Sequence, residues 1–281
     1  MRTLAGVRPN LLDNGDFRAG HIVNQWGRTS VSADGQFLFD RWRTYRYVSG
    51  TASVTENGVN LAGNFDFGET IESSRIPNTP NFRVTISAMF SDGSFVSKTG
   101  TLGNTGAAEM FQIAVTQYTN LQFIRNWNTG VDLFFFHLLS EDNITPIAAK
   151  LETGSTQTLA YQDETGAWQL LPQPESDYAA QLAKCQRYFF APKDVFGAAM
   201  IANTEYSLYG SIQFPVTMRA APTISDATAR RMNTGDTISL AGIVVDSQKN
   251  ENGLTFLNCY GNNVFTAGEY YQVSFKASAD L

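Results

Sequence analysis

The sequence predicts an all-β chain: an N-terminal jelly-roll β-sandwich, a short linker helix and a smaller C-terminal β-sandwich. Three observations predict it. Apolar residues recur at every second position, as in Phe82, Val84, Ile86, Ala88 and Phe90, the period of a strand with one buried face. Turn residues punctuate the chain at short, regular intervals, as sandwiches and jelly rolls require. Charged residues make up only 16%, against roughly 25% in ordinary soluble domains. Neutral polar residues take their place, which suits sheet faces and loops better than long helices. With 281 residues, 43% of them hydrophobic, the chain can bury two cores of ordinary size.

In chain order, Ser53-Val54-Thr55 and Val59-Asn60-Leu61 flank Asn57-Gly58, a pair that supplies the positive φ of a tight hairpin. The strand over residues 82–90 turns at Ser91-Asp92-Gly93-Ser94. Phe111, Ile113, Val115 and Gln117 predict one strand, and Leu121, Phe123 and Arg125 its neighbour. Residues 133–139 are apolar on both faces, so they belong in the middle of a sheet covered on both sides. Residues 159–190 read as a linker, polar and proline-marked at first. They end in a helix that Ser176-Asp177 caps and that carries Tyr178, Leu182, Cys185 and Phe189 on one stripe. Trp168, in the polar stretch, is placed over a seam between domains. Strands resume from residue 191. They are read at residues 206–212, 214–216, 238–240, 242–245, 254–257 and 270–275, with a turn at Asn250-Glu251-Asn252-Gly253. The domains are therefore expected at 1–158 and 191–281.

Composition excludes several classes. The net charge is −6, neither half of the chain is basic and no Lys/Arg cluster stands out, so nucleic-acid binding is not expected. An anionic membrane surface is disfavoured for the same reason. The N-terminus lacks the apolar run of a signal peptide, and no apolar run is long enough to span a bilayer as a helix, so membrane insertion is not expected. The cysteines, Cys185 and Cys259, are read as two buried thiols.

Signals for catalysis are poor. The two histidines are His21 and His137, and His137 falls among Phe and Leu as a core or rim residue. No nucleophile elbow, phosphate loop or zinc-protease motif is present. A glycosidase needs two facing carboxylates. Asp66, Glu69, Glu72, Asp132, Glu141 and Asp142 are available, but linear spacing selects no pair among them. The chain is therefore read as no enzyme. Aromatic residues are the better binding candidates, because rings stack on the C–H faces of sugars while amides and charged groups take the hydroxyls. Trp127, between Asn126 and Asn128, sits in a polar, turn-like context. Tyr45 and Tyr47 alternate on one strand face. Trp26 follows Asn24-Gln25, and Tyr260 and Asn262 lie in a Gly-marked loop of the second domain. Trp42 is assigned to the core, with Asp40 and Arg41 as an ion pair.

Several patterns in order carry a family resemblance. Asn10-Leu11-Leu12-Asp13-Asn14-Gly15-Asp16-Phe17 is followed by Val23-Asn24-Gln25-Trp26-Gly27 and Phe39-Asp40-Arg41-Trp42. Later come Ala149-Lys150-Leu151-Glu152-Thr153-Gly154-Ser155, Leu182-Ala183-Lys184-Cys185-Gln186-Arg187-Tyr188, and Phe214-Pro215-Val216-Thr217-Met218-Arg219-Ala220-Ala221-Pro222-Thr223. Together they resemble bacteriophage and prophage tail-fibre, or receptor-binding, proteins with a carbohydrate-binding-module-like jelly roll at the N-terminus. Relatives often have Arg where Trp26 stands. Few residues precede the first motif, so the usual N-terminal virion anchor is expected to be absent or very short.

The resemblance implies a virion component, made in the cytoplasm of a bacterial host. It implies a homotrimer, contacts with other phage tail or virion proteins, and adhesion to host cell-surface glycan, with the C-terminal domain forming the trimer and its tip. It also implies a structural calcium at Asp13 and Asp16, hard oxygen donors of the kind that ion takes, and no other cofactor. An Asx turn is the competing reading of that segment. Residues 64–69 offer oxygen ligands too, without the spacing of an EF-hand loop. Two other roles compete: a purely structural virion protein (head fibre, baseplate or decoration protein) and a glycan depolymerase.

Overall fold

The alternation of apolar and polar residues builds antiparallel sheets whose inner faces share a core. In the computed structural model the described residues are 6–46, 48–76, 79, 81–102, 109–126, 133–173, 177–192, 199–204, 207–239, 243–244, 249–254, 258–260 and 265–279. For some strand residues, Asn126 and Tyr260 among them, only the backbone is described. The chain divides into two units, Met1–Gln181 and Leu182–Leu281, and the fold is all-β of sandwich type.

The first unit begins with short strands β1 (Ser30–Val31), β2 (Phe37–Phe39) and β3 (Trp42–Thr44). The hairpin of β4 (Ser49–Thr55) and β5 (Gly58–Glu72) follows, then β6 (Phe82–Phe90), β7 (Phe95–Leu102), β8 (Glu109–Ala114), β9 (Thr119–Asn126), β10 (Leu133–Ser140), β11 (Asn143–Ile144) and β12 (Pro146–Thr153). One sheet runs β1-β4-β5-β10-β9-β8, with β3 and β11 attached beside β5 and β2 beside β3; the other is β12-β6-β7. Between them lies a core that includes Trp42, Phe65, Phe67, Phe123, Phe136 and Leu138 of the large sheet and Val84, Ile86, Ala88 and Leu151 of the small one. The Asn57-Gly58 hairpin forms as its sequence predicts, with Thr55 paired to Gly58 and Gly58 at φ +123°. The 91–94 turn also forms, with Gly93 at φ +84°. β10 lies between β5 and β9, and residues 136–138 are buried on both faces.

Three expectations change. The strand over 82–90 is not half-buried: every residue from Val84 to Phe90 is buried. Its second face is covered by residues of the expected linker, which folds back as a hairpin, β13 (Ala160–Gln162) with β14 (Trp168–Leu170). Trp168 packs on Phe95 of β7, ring centroids 4.3 Å apart, within the first unit. Under this cover Lys150 and Glu152 have no exposed surface. Thr158 joins them, its N–H and hydroxyl donating to the two oxygens of Glu152 at 2.6 Å each, while Lys150 Nζ donates to Thr158 Oγ1 and Gln173 Oε1. Residues 64–69 are no ligand loop. They continue β5, with Phe65 and Phe67 in the core and Asp66 and Gly68 on the opposite face. In the helix α1 (Tyr178–Gln186), Asp177 Oδ1 accepts the Ala179 N–H, a cap of the expected kind. Its buried stripe is Gln181 and Cys185 rather than the expected set. Tyr178 is 47% exposed, and Phe189 lies past the helix end in a strand.

The second unit adds β15 (Phe189–Phe190), β16 (Ala199–Thr204), β17 (Ser207–Tyr209), β18 (Ile212–Gln213), β19 (Thr223–Arg231), β20 (Thr237–Ser239), β21 (Ile243–Val244), β22 (Lys249–Asn250), β23 (Gly253–Leu254), β24 (Asn258–Tyr260) and β25 (Tyr270–Ser278). They form a sheet in the order β20-β19-β25-β16-β17-β24-β21, with β15 beside β25, and a small sheet β18-β23-β22. The core holds Leu208, Phe214, Met218, Leu254, Phe265, Tyr271, Val273 and Phe275. Sequence periodicity missed β19. A register shift between Ser225 and Thr228, with Asp226 at φ +50°, is a bulge that breaks the alternation. Cys185 is buried, without exposed surface, and Cys259 lies in β24 with only its backbone described.

Candidate functional site: a stack of rings and guanidinium groups

Strand alternation sends Trp42 and Thr44 of β3 inward and leaves Arg43 and Tyr45 on the outer face of the large sheet. The same rule leaves Asp66, Gly68 and Thr70 of β5, His137 of β10 and Gln122 of β9 on that face, opposite the core residues Phe67, Phe136 and Leu121. β3 pairs Arg43 with Gly68, and β10 pairs His137 with the same glycine. Gly68 leaves no room for a side chain, since a Cβ there would run into the Phe136 carbonyl oxygen, and the Tyr45 and His137 rings close across this part of the face.

The closure is a continuous stack. The Tyr45 ring lies on the His137 imidazole, centroids 4.3 Å apart and planes at 26°. The Arg43 guanidinium carbon sits 4.7 Å from the Tyr45 centroid and 5.4 Å from that of Phe37. Trp26 is parallel to Phe37 within 2°, at 5.1 Å, and Arg28 lies 5.0 Å from the indole centroid. Each guanidinium contact is of cation–π type. At the far end His137 Nδ1 shares a 2.5 Å hydrogen bond with Asp66 Oδ1, and Tyr45 Oη one of 2.6 Å with Thr70 Oγ1. Burial raises the pKa of the Tyr45 hydroxyl above its ordinary value, so it stays protonated at neutral pH. Beyond His137 the face continues with Gln122, whose Nε2 donates to Gln112 Oε1 at 2.7 Å.

The two arginines of the stack differ from others in the unit. Arg18 is paired with Asp16, Arg75 with Asp13 and Arg41 with Glu69. Arg28 donates to the Phe37 carbonyl, and Arg43 reaches the Thr70 hydroxyl, at 3.5 Å, and the Tyr45 hydroxyl. Among the described residues, neither has a carboxylate within ion-pair distance.

Of the residues chosen from sequence, the structure brings Tyr45 and Trp26 into this one stack. Tyr47, Trp127, Asn128 and Asn262 lie outside the described residues. Asn126 ends β9 opposite Leu133, and Tyr260 ends β24 opposite Ser207; their side chains are outside the description. Sequence reasoning missed Phe37, Arg28 and Arg43, weighed Asp66 only among scattered carboxylates and oxygen ligands, and took His137 as a core or rim residue. The alternation of Arg43 with Trp42 was legible; the register that sets His137 beside Tyr45 was not.

Asp13 and Asp16 do not fit the calcium that the resemblance implies. Both oxygens of Asp13 accept from Arg75, at 2.6 and 3.0 Å, with Arg41 Nε at 3.8 Å. Asp16 is held by two bonds from Arg18, at 2.9 and 2.6 Å. A dication there would meet guanidinium groups rather than an oxygen cage. No group of three or more metal-ligating side chains occurs among the described residues. The Asn10 to Phe17 motif instead ties the fold. Asn14 donates to the carbonyls of Val23 and Asp40, the Asp13 N–H donates to Glu69 Oε2, and the Trp42 indole donates to the Asp13 carbonyl. Arg41 donates to the Thr70 carbonyl and lies 3.3 Å from Glu69 Oε1.

Among the described carboxylates, Glu69 and Asp92 do not match an accessible general acid. Burial pushes Glu69 well above its ordinary range, as a general acid would need, yet Glu69 has no exposed surface. A cleft of about 290 Å³ is lined by both Asp92 and Asp142. There the Ser94 hydroxyl and N–H pull Asp92 below its usual value, opposite to what a general acid requires. Glu72 accepts from Ser74, and Asp132 is outside the described residues. What the stack provides is planar faces, an amide and two guanidinium groups beside the hydrogen-bonded His137–Asp66 pair. Compared with known proteins, the chain matches no family model, no curated protein and no solved structure.

Proposed function

We propose that this chain is a receptor-binding, tail-fibre type protein of a phage virion. In this reading it adheres to host cell-surface carbohydrate through the outer face of its large sheet and carries out no covalent chemistry. The observation that carries the reading is the stack from Arg28 to His137. It sets rings, guanidinium groups and hydrogen-bonding amides side by side on a rigid sheet, the mixture of surfaces that sugars use. A homotrimer would present three such faces, and avidity would raise the effective affinity of each weak site. The full chain on a glycan array, together with host-cell adsorption in competition with free protein, tests this. Binding to envelope glycans and blocked adsorption are the expected results. No glycan bound and adsorption unaffected would overturn the proposal.

One observation favours a second reading, a purely structural virion protein. Trp26 is already covered by Phe37, and Tyr45 already contacts Arg43 and His137, so these rings stiffen the sheet whether or not a ligand comes. Antibody-labelled electron microscopy separates the readings: label at a fibre tip supports adhesion, label on the head or baseplate body supports structure.

A further inference from the structure

We infer that the ligand of the outer face is an acidic saccharide, one whose uronate carboxylates are taken by Arg43 and Arg28. This inference rests on the adhesive reading above and narrows it. Arg43 and Arg28 have no carboxylate partner among the described residues, although other arginines of the unit are paired with acids. Both are half-buried and lie against rings. Arg28 donates one N–H to the Phe37 carbonyl, and Arg43 donates to the Thr70 and Tyr45 hydroxyls; the N–H groups that remain on a guanidinium held against a ring can meet a planar carboxylate. The ring contacts also fix the side chain in advance, so little rotamer freedom remains to be lost on binding.

Asp66, an acid of the same face, is engaged with His137 at 2.5 Å. Positive charge is concentrated in this stack on a chain of net charge −6. That favours an anionic polymer with spaced charges over a nucleic acid, which needs a denser basic track.

The test is affinity electrophoresis of the full chain through gels containing alginate, polygalacturonate, the carboxyl-reduced form of each, dextran, dextran sulfate or single-stranded DNA. Retardation by at least one polyuronate is expected, weakened about tenfold or more by carboxyl reduction and by Arg43→Gln, and reduced by salt as exposed charges are screened. Arg28→Gln, at the opposite end of the stack, is an independent variant should Arg43→Gln fail to fold. Arg43→Lys keeps the charge but loses the planar fork and is expected to bind at an intermediate level.

Equal retention by dextran or by the carboxyl-reduced polymers would overturn the acidic assignment and leave glycan adhesion standing. Equal or stronger retention by dextran sulfate or DNA would overturn the carboxylate specificity. Retention by no saccharide, acidic or neutral, would remove the adhesive reading itself. Undiminished polyuronate binding by folded Arg43→Gln and Arg28→Gln proteins would move the site elsewhere.

Discussion

Asp13, Arg41, Glu69 and Arg75 bring two acids and two bases together, three of the four almost without exposed surface. Removing one member of a buried pair leaves an uncompensated charge, which costs about 3–5 kcal/mol. Arg41→Ala is therefore expected to lower unfolding free energy by that order, read from denaturant midpoints. Glu69 has a second consequence. Its folded-state value lies above the ordinary 4.5, chiefly through burial. The folded state thus holds this proton more tightly than the unfolded chain. The stability it contributes is fully present below about pH 4.5 and is lost as pH rises through the raised folded value. Midpoints measured from pH 4 upward should show this decline in the wild type and a flatter profile in Glu69→Gln. A parallel pair of profiles would disprove it. The sequence offered Asp13 as an oxygen ligand, Glu69 among scattered carboxylates and Arg41 as the partner of Asp40, which accepts from Gln25. Their joining depends on β5 lying beside the N-terminal segment, a long-range pairing that no local spacing records.

At the scale of elements, turns were the most legible feature. Asn57-Gly58 and Asp92-Gly93 declare their hairpins because few residues accept positive φ. Gly58 also lies against the Pro146 carbonyl, so Gly58→Ala meets both strain and crowding and should cost more than about 1 kcal/mol, measured by thermal melting. The hairpin β13–β14 was not legible, because its strands are three residues each, too short to show a period, and its role is to cover. Lys150 and Glu152 are charges that strand alternation assigns to solvent, and only the chain folded over them makes them interior. Thr158 holds that cover to both. Thr158→Val leaves buried groups short of partners, at about 1–3 kcal/mol, and should speed proteolysis within residues 155–173. Unchanged cleavage there would mean the cover is held by other contacts. β19 was missed because a single bulge shifts the phase on which period-two reading depends.

For the whole molecule, the two cores are separate sets of residues, each large enough to unfold cooperatively on its own. Calorimetry should resolve two transitions. Leu138→Ala should lower the one belonging to the first unit, and Leu208→Ala the other, each by about 2–5 kcal/mol of local stability. A single transition moved by both variants would show that the units unfold as one.

β5 has a consequence of another kind. Its fifteen residues extend roughly 50 Å at the usual rise per residue. Its first half is bonded to β4, and its second half to β10 and β3. Tension applied along such a strand loads many ladder bonds at once, whereas tension across it would open them one after another. The first unit is thereby built to resist traction along β5 far better than peeling from its side. Single-molecule stretching along the two directions should give clearly unequal rupture forces.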